Sequence, residues 1–222
     1  MIRHPHARGL GMAGSRSRDR LIQQLQAEGI CDARVLAAIS KVPRHRFIDE
    51  ALTSRAYDNT ALPIGFGQTI SQPYVVARMT EQLVAGPTLR TVLEIGTGCG
   101  YQTAILAELV DQVYSVERLQ ALHRQARVRL QELGYSNTWL LYGDGYKGWP
   151  EHAPYDGILV AAASLSVPEI LLRQLKPGGR MILPVGPPGR QVLRRVVRTE
   201  DGFESTNLDA VSFVPLVSGH QA

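Results

Sequence analysis

Hydrophobic and polar residues follow two different periodicities along the chain. Residues 19–28 and 32–41 carry apolar side chains at helical spacing, and Gly29 and Pro43 stand where these two patterns stop. From residue 91 onward, short runs of β-branched and apolar residues alternate with segments of helical periodicity. The pattern therefore predicts two N-terminal packing helices, followed by an alternation of strands and helices.

The alternating part of the chain predicts an α/β fold. Strands are expected at residues 91–95, 112–117, 138–141, 155–161 and 180–185, a short helix at 168–175 and a turn at 177–179. Strand-like patterns at 191–199 and 211–216, with no convincing helix between them, are expected to finish one edge of the sheet. Such an alternation forms a mostly parallel, doubly wound sheet that binds its ligand at the carboxyl ends of the strands.

Length and composition favour a single domain. The chain has 222 residues, a net charge of +4 and two cysteines in dissimilar contexts. We predict a disordered basic N-terminus at residues 1–15 and one domain at 16–222, in which 16–90 supply helices and a substrate loop and 91–222 supply the cofactor-binding sheet and C-terminal strands. No signal peptide, transmembrane run or disulfide framework is apparent, which favours a cytoplasmic protein. The charges lack the interleaved aromatic residues of single-strand nucleic-acid binders.

The run from Gly96 to Gly100 is a glycine-rich turn between a predicted strand and a predicted helix. Without Cβ atoms the backbone can approach a ligand closely, and the free N–H groups of the helix start point toward it. The dinucleotide-binding fingerprint would require a glycine at Tyr101, and the P-loop would require Gly-Lys-Ser/Thr, which is absent. The turn therefore belongs to another kind of nucleotide-type site.

Two acidic residues follow later predicted strands. Glu117 ends the second strand, where a carboxylate can accept hydrogen bonds from both hydroxyls of a ribose. Asp144 stands between two glycines after the third strand. The plainer alternatives are an acid favoured by a helix N-terminus for Glu117 and a simple turn residue for Asp144.

Taken with these acids, the glycine-rich turn resembles motif I of the class I S-adenosylmethionine-dependent methyltransferases. The resemblance implies a Rossmann-like fold with an N-terminal helical extension and S-adenosyl-L-methionine as cofactor. It also implies that an acid after the third strand contacts the adenine amino group. The expected cofactor-binding residues are Glu94, Gly96, Thr97, Gly98, Gly100, Glu117, Arg118, Gly143, Asp144 and Gly145.

The segment 62–73 narrows the resemblance to one family. It is apolar and glycine-rich, which suggests a lid or cleft wall, although a buried linker would have a similar composition. Together with the motifs at 92–98, 114–118, 143–145, 178–179, 184–186 and 213–216, it resembles the protein-L-isoaspartate O-methyltransferases of bacteria. Cys99 departs from the family pattern, which usually has serine there, and a thiol makes a weaker hydrogen bond than a hydroxyl.

The resemblance implies methyl transfer to the α-carboxylate of L-isoaspartyl residues in age-damaged proteins and peptides, with repair through a succinimide. A carboxylate is already ionised at neutral pH, so the reaction needs no general base, and no metal cluster is apparent. Ser71 is the expected active-site residue, holding the carboxylate by a hydrogen bond, while Thr69, Ile70 and Val214 are expected to line the same cleft. We expect a monomer that acts on proteins, without nucleic acid or membrane as partner, and the use of D-aspartyl sites stays open.

Two alternatives from other classes remain. A methyltransferase of nucleic acids would usually carry Asn/Asp-Pro-Pro-Tyr/Phe or Pro-Cys after the fourth strand, where this chain has the sequence Ala-Ala-Ala-Ser at 161–164. A methyltransferase of small molecules would share the cofactor half. A protein that binds the cofactor without catalysis is expected to have a degraded glycine turn or to lack the acids, and this chain retains both.

Overall fold

The N-terminal elements form a helical layer and a hairpin ahead of the main sheet. The computed structural model describes residues 12–221. Helices α1 (Met12–Ala27) and α2 (Ala33–Lys41) are followed by strands β1 (Leu62–Gly65) and β2 (Gln68–Ile70), which pair antiparallel, and by helix α3 (Pro73–Val84). The side chain of Asp32 accepts a hydrogen bond from the backbone N–H of Arg34 and so caps α2.

A seven-stranded sheet forms the centre of the described structure. Its elements are β3 (Thr91–Ile95), α4 (Tyr101–Ala107), β4 (Gln112–Glu117), α5 (Gln120–Glu132), β5 (Thr138–Tyr142), β6 (Tyr155–Val160), α6 (Glu169–Leu172), β7 (Leu175–Val185), β8 (Gln191–Arg198) and β9 (Phe203–Val211). The strand order is β5-β4-β3-β6-β7-β8-β9; the first five strands are parallel, and β8 pairs antiparallel with both β7 and β9. The direction of the strand order reverses between β3 and β6, which is where such sheets bind ligands.

Alternate residues of the central strands pack into two separate cores. On β3, Val92 belongs to the core beneath the N-terminal helices and Leu93 to the core on the opposite face. On β7, Ile182 and Met181 divide in the same way. Because successive strand residues point to opposite faces, a strand that is apolar throughout is buried on both sides. This double burial explains the continuous apolar runs of the sequence.

The predicted doubly wound α/β fold is confirmed, and β3 and β4 have the predicted limits. Helix α1 begins at Met12 and not at residue 19, because its first turns are polar and carry no apolar periodicity. The helix predicted at 168–175 is wrong in length: α6 covers only Glu169–Leu172, and Leu175 already pairs with Tyr155 at the start of β7. Residues 1–11 and 222 lie outside the described residues, and residues 12–15 of the N-terminus predicted to be disordered belong to helix α1.

Two further predictions at the C-terminal edge of the sheet are wrong. Residues 177–179 are not a free turn but lie inside β7, where a bulge opposes β6. The last strand is Phe203–Val211 and not 211–216, because most of its residues are exposed and show no apolar alternation in the sequence. Residues 214–217 instead leave the sheet edge and cross its carboxyl end. No helix in the described part of the chain is long and apolar enough to cross a membrane.

Candidate active site

A cavity opens at the carboxyl edge of the sheet, beside the point where the strand order reverses. The glycine-rich turn, the end of β4, the β1–β2 hairpin and the C-terminal segment all contribute to its wall. Its lining includes Ile64, Gly67, Gln68, Thr69, Ile70, Ser71, Gly96, Thr97, Gly98, Cys99, Tyr101, Gln102, Glu117, Arg118, Leu119, Leu122, Gly145, Ala161, Ala162, Val214, Pro215, Leu216 and Val217. One cavity therefore joins the predicted cofactor residues to the predicted substrate residues.

The glycine-rich turn has a backbone that only glycine adopts easily. Gly96 and Gly98 have φ angles of 93° and 54°, in the left-handed region. A Cβ atom on Gly98 would also lie 3.4 Å from Cδ1 of Ile64, on the facing hairpin. Substitution here would strain the turn and fill part of the cavity, so the turn forms a cradle for a ligand that approaches the backbone.

The carboxylate of Glu117 holds this turn in place. One oxygen accepts a hydrogen bond from the backbone N–H of Gly98 at 2.8 Å, and the other accepts one from Leu119 at 2.9 Å. The residue is buried and lines the cavity. A carboxylate has about four acceptor positions, so two remain for hydroxyl groups of a ligand.

Arg118 also lines the cavity, as predicted for a cofactor-binding residue. Its Nε atom is buried and has no hydrogen-bond partner in the described chain. This atom is closed off from solvent, so it is not a donor that a ligand in the open cavity reaches directly. The two free acceptor positions of Glu117 suit a ligand with hydroxyl groups.

Glu94 was predicted to bind the cofactor, but it does not line the cavity. It lies fully buried behind the turn, where one oxygen accepts hydrogen bonds from the hydroxyls of Thr103 at 2.5 Å and Ser115 at 2.6 Å. Ser115 in turn shares a 2.6 Å hydrogen bond with Thr97, which does line the cavity. Burial raises the pKa of Glu94 to about 8, so this residue is mainly protonated at neutral pH. Glu94 thus supports the turn from behind as a neutral group.

Of the predicted run Gly143-Asp144-Gly145, only Gly145 lines the cavity. One oxygen of Asp144 accepts a hydrogen bond from the backbone N–H of Tyr146 and so caps a short 3-10 turn. The other accepts one from the backbone N–H of Gly219 at 2.8 Å. Asp144 thus caps a local turn and binds the C-terminal segment, and it is not among the residues that line the cavity.

The four predicted substrate residues are all at the cavity. Thr69, Ile70 and Ser71 come from the end of the hairpin, and Val214 comes from the C-terminal segment. Within the described residues, the hydroxyl of Ser71 has no hydrogen-bond partner, while its backbone carbonyl accepts one from Arg44. The Ser71 hydroxyl is therefore free to donate to a ligand in the cavity.

The cavity also includes residues that were not predicted as site residues, although two of them, Pro215 and Leu216, lie in the motif at 213–216. Pro215, Leu216 and Val217 enter it because the segment is held against the end of β6, where Ala163 donates to Val214 and accepts from Leu216 at 2.8 and 2.7 Å. No periodicity in the sequence indicates such a long-range contact. Leu119 directly follows the predicted Glu117-Arg118 pair and Leu122 comes three residues later, so extending that motif by four residues would have found both.

A doubly wound sheet with an acid at the end of its second strand, and with a glycine-rich turn that lacks the third glycine of the dinucleotide fingerprint, is the arrangement of the class I S-adenosylmethionine-dependent methyltransferases. Residues 16–221 match the family model described as protein-L-isoaspartate(D-aspartate) O-methyltransferase. The chain belongs to this family.

Relatives and solved structures agree with this assignment. The protein-L-isoaspartate O-methyltransferase of Halorhodospira halophila is 56% identical over 98% of this chain and 99% of its own, and that of Pseudomonas paraeruginosa is 57% identical over 94% and 99%. A solved protein-L-isoaspartate O-methyltransferase superposes with a TM-score of 0.80 at 29% identity, over 89% of this chain and 65% of its own. A Plasmodium falciparum structure named for the same activity, in complex with S-adenosyl-L-homocysteine, has a TM-score of 0.78 at 26% identity and covers 90% and 98%.

The buried Glu94 predicts a pH-dependent stability. Its pKa is raised from 4.5 to about 8 in the folded state, so its stabilising proton is fully bound below pH 4.5 and its contribution is lost as the pH rises through about 8. Relative to Glu94→Gln, which cannot ionise, the wild-type chain should lose roughly 2–4 kcal/mol of unfolding free energy between about pH 5 and pH 8. Urea denaturation at several pH values measures this difference. The exposed Glu200→Gln is the control, and parallel profiles for wild type and Glu94→Gln would contradict the assignment.

The two cysteines should differ strongly in reactivity. Cys31 is exposed, whereas Cys99 is 4% exposed in the cavity wall and burial raises the pKa of its thiol. Because the thiolate is the reactive form, an aromatic disulfide reagent should modify Cys99 at least about tenfold more slowly than Cys31. The time course of modification should therefore have a fast and a slow phase, and replacing each cysteine by serine in turn shows which residue gives which phase. Equal rates in the two single variants would show that Cys99 is open to solvent.

Proposed function

We propose that this enzyme transfers a methyl group from S-adenosyl-L-methionine to the α-carboxylate of L-isoaspartyl residues in damaged proteins and peptides, which starts their repair through a succinimide. The observation that carries the proposal is the single cavity that joins the glycine-rich turn to the hairpin end at Thr69, Ile70 and Ser71. The side of the cavity at the glycine-rich turn would suit methyltransferases with many different acceptors. The side at the β1–β2 hairpin contains the segment 62–73, which carries the family's characteristic motif.

The cofactor role falls to the residues around the turn. Glu117 would accept hydrogen bonds from the ribose hydroxyls with its two remaining acceptor positions, and Gly96 and Gly98 would let the backbone approach the amino-acid end. Arg118 and Gly145 would contact the ligand from the same wall. When bound, S-adenosyl-L-methionine supplies an electrophilic methyl group on a positively charged sulfur.

The remaining predicted cofactor residues would act indirectly. Thr97 lines the cavity and is held by Ser115, which is bound to Glu94. Gly100 is the left-handed N-cap of α4, and Asp144 orders the segment between Gly143 and Gly145 by capping. We infer that these residues set the shape of the cofactor site and that Gly145 is the member of its run that contacts the ligand.

The carboxylate that accepts the methyl group has to be positioned, but it does not have to be activated by a base. An α-carboxylate has a pKa of about 3.5 and is ionised at neutral pH, so no residue has to remove a proton. The Ser71 hydroxyl would donate a hydrogen bond to one carboxylate oxygen and hold the other toward the methyl group. Positioning of this kind can lower a barrier by about 7–11 kcal/mol. Thr69, Ile70 and Val214 would exclude water around this contact.

We further propose that the enzyme acts as a monomer in the cytoplasm, on proteins and not on nucleic acids or membranes. Residues of one chain line the whole described cavity, so a second copy is not needed to complete it. Cys31 and Cys99 are both free, which suits a reducing compartment. The sequence after β6 lacks the motifs of nucleic-acid methyltransferases.

Two synthetic peptides test the proposed acceptor. They are identical except for one normal aspartyl or one L-isoaspartyl linkage, and each is incubated with the enzyme and methyl-labelled S-adenosylmethionine. Base-labile label should appear on the isoaspartyl peptide alone, because only there does the family's acceptor carboxylate exist. Label on both peptides, or on neither despite cofactor binding by calorimetry, would point to a different acceptor.

Ser71→Ala tests the role of the hydroxyl. A hydrogen bond to a charged group is worth about 1.5–3 kcal/mol, so kcat/KM for the isoaspartyl peptide should fall roughly 10-fold to 100-fold. The dissociation constant of the cofactor should change less than about twofold, because Ser71 lies on the hairpin side of the cavity. Ser54→Ala, at an exposed serine outside the cavity wall, is the control. Loss of cofactor affinity in Ser71→Ala would assign Ser71 to the cofactor instead.

A further inference from the structure

Arg44 is a buried cation directly behind the acceptor side of the cavity. It begins the 3-10 turn Arg44–Phe47 and is 0% exposed. None of the ion pairs among the described residues includes it, and its Nε and Nη1 atoms have no hydrogen-bond partner there. A buried guanidinium without a carboxylate is unusual, because removing a charge from water costs several kcal/mol unless other groups compensate.

The contacts of Arg44 join both ends of the hairpin to the glycine-rich turn. Its Nη2 atom donates to the backbone carbonyl of Ser71 at 2.9 Å, and to that of Thr60 at 3.3 Å. Thr60 precedes β1 and Ser71 follows β2, so one group binds the chain where it enters and where it leaves the hairpin. The Cζ atom lies 4.9 Å from the ring centroid of Tyr101, the first residue of α4.

These contacts compensate the charge only in part. Two carbonyl oxygens and one aromatic face stabilise a cation less than a carboxylate does. Burial lowers the pKa of Arg44, but an arginine side chain is not deprotonated in proteins. A neutral donor could hold the same carbonyls at a lower desolvation cost, so the charge itself requires an explanation. Ser71 and Tyr101 both line the cavity, which places this charge one residue layer from any acceptor bound there.

We propose that Arg44 is the positioning residue of the acceptor site: it fixes Ser71 relative to the glycine-rich turn, and its unpaired charge favours an anionic acceptor in the cavity. The proposal rests on the proposed function, since it takes the acceptor to be a carboxylate. A fixed positive charge in a poorly hydrated wall attracts an anion more strongly than the same charge in water. The two effects separate in kinetics, with Ser71 placement affecting kcat and the charge affecting KM for the peptide.

Three variants test the role of Arg44 in kinetics. Arg44→Met removes the charge and the hydrogen-bond donors at similar side-chain size, and Arg44→Lys keeps the charge without the planar guanidinium. Arg46→Met is the matched control. Arg46 lies in the same 3-10 turn, and among the described residues its side chain makes a single ion pair, with Glu132 at 3.5 Å. Arg44→Met should raise KM for the isoaspartyl peptide and lower kcat, each about fivefold or more, with cofactor affinity within about twofold. Arg44→Lys should recover most of KM but not kcat. Arg46→Met should leave both constants unchanged.

A double-mutant cycle with Ser71→Ala tests whether Arg44 acts through Ser71. In the Ser71→Ala background, Arg44→Met should lower kcat less than about twofold while still raising KM. Full multiplication of the two kcat losses, or an unchanged KM in Arg44→Met, would overturn the proposal. If Arg44→Met is unfolded at the assay temperature, Arg44→Lys is used for the kcat cycle.

Hydrogen exchange of the enzyme without substrate gives a readout that does not depend on the acceptor. Arg44→Met should speed amide exchange in β1 and β2 and leave β3 and β4 unchanged, whereas Arg46→Met should change neither. Unchanged exchange in the hairpin would refute positioning by Arg44. If the wild-type enzyme fails to methylate the isoaspartyl peptide while the hairpin responds to Arg44→Met, the proposed acceptor fails and positioning by Arg44 stands.

Discussion

The carboxylate of Glu117 makes the contact on which the geometry of the site depends, because it ties the end of one central strand to the loop that follows its neighbour. Gly98 donates to one oxygen and Leu119 to the other. This contact is possible because β3 and β4 are parallel and in register, so that both end at the same edge of the sheet. Gly98 makes this contact with a φ angle of 54°, in the left-handed region that favours glycine. The cofactor side of the cavity is therefore built on the rigid part of the fold.

The acceptor side is built differently. The β1–β2 hairpin is a separate two-stranded sheet, and residues 214–217 are attached to the main sheet mainly through Ala163. Both segments need side-chain anchors to keep a fixed distance from the glycine-rich turn. Arg44 and Tyr101 provide one such anchor, and Asp144 provides another by binding Gly219. The reactive geometry thus depends on a few buried polar contacts that join distant parts of the chain.

This division explains how much of the protein could be predicted from its sequence. The limits of β3 and β4 follow from local apolar runs, and the glycine-rich turn is visible as a motif. The side chain of Glu94 lies behind the glycine-rich turn because it binds Ser115, and one oxygen of Asp144 binds Gly219. Both partners are remote in sequence. A strand with exposed residues, such as Phe203–Val211, has no apolar alternation to reveal it. Pattern therefore predicts the elements, and long-range hydrogen bonds decide which polar residues face the cavity.

The charges around the cavity form a consistent arrangement once protonation is included. Glu94 is buried behind the turn and is linked to it through the hydroxyl of Ser115. As an ionised carboxylate, it would add a second negative charge close to Glu117. Its raised pKa keeps it neutral, so Glu117 is the acid at the cofactor side that can balance a positively charged ligand. On the opposite side the unpaired charge of Arg44 lies behind Ser71. A cation bound near Glu117 and an anion bound near Ser71 would each meet the opposite charge. Such an arrangement suits binding of the two charged reactants of the proposed carboxyl methylation.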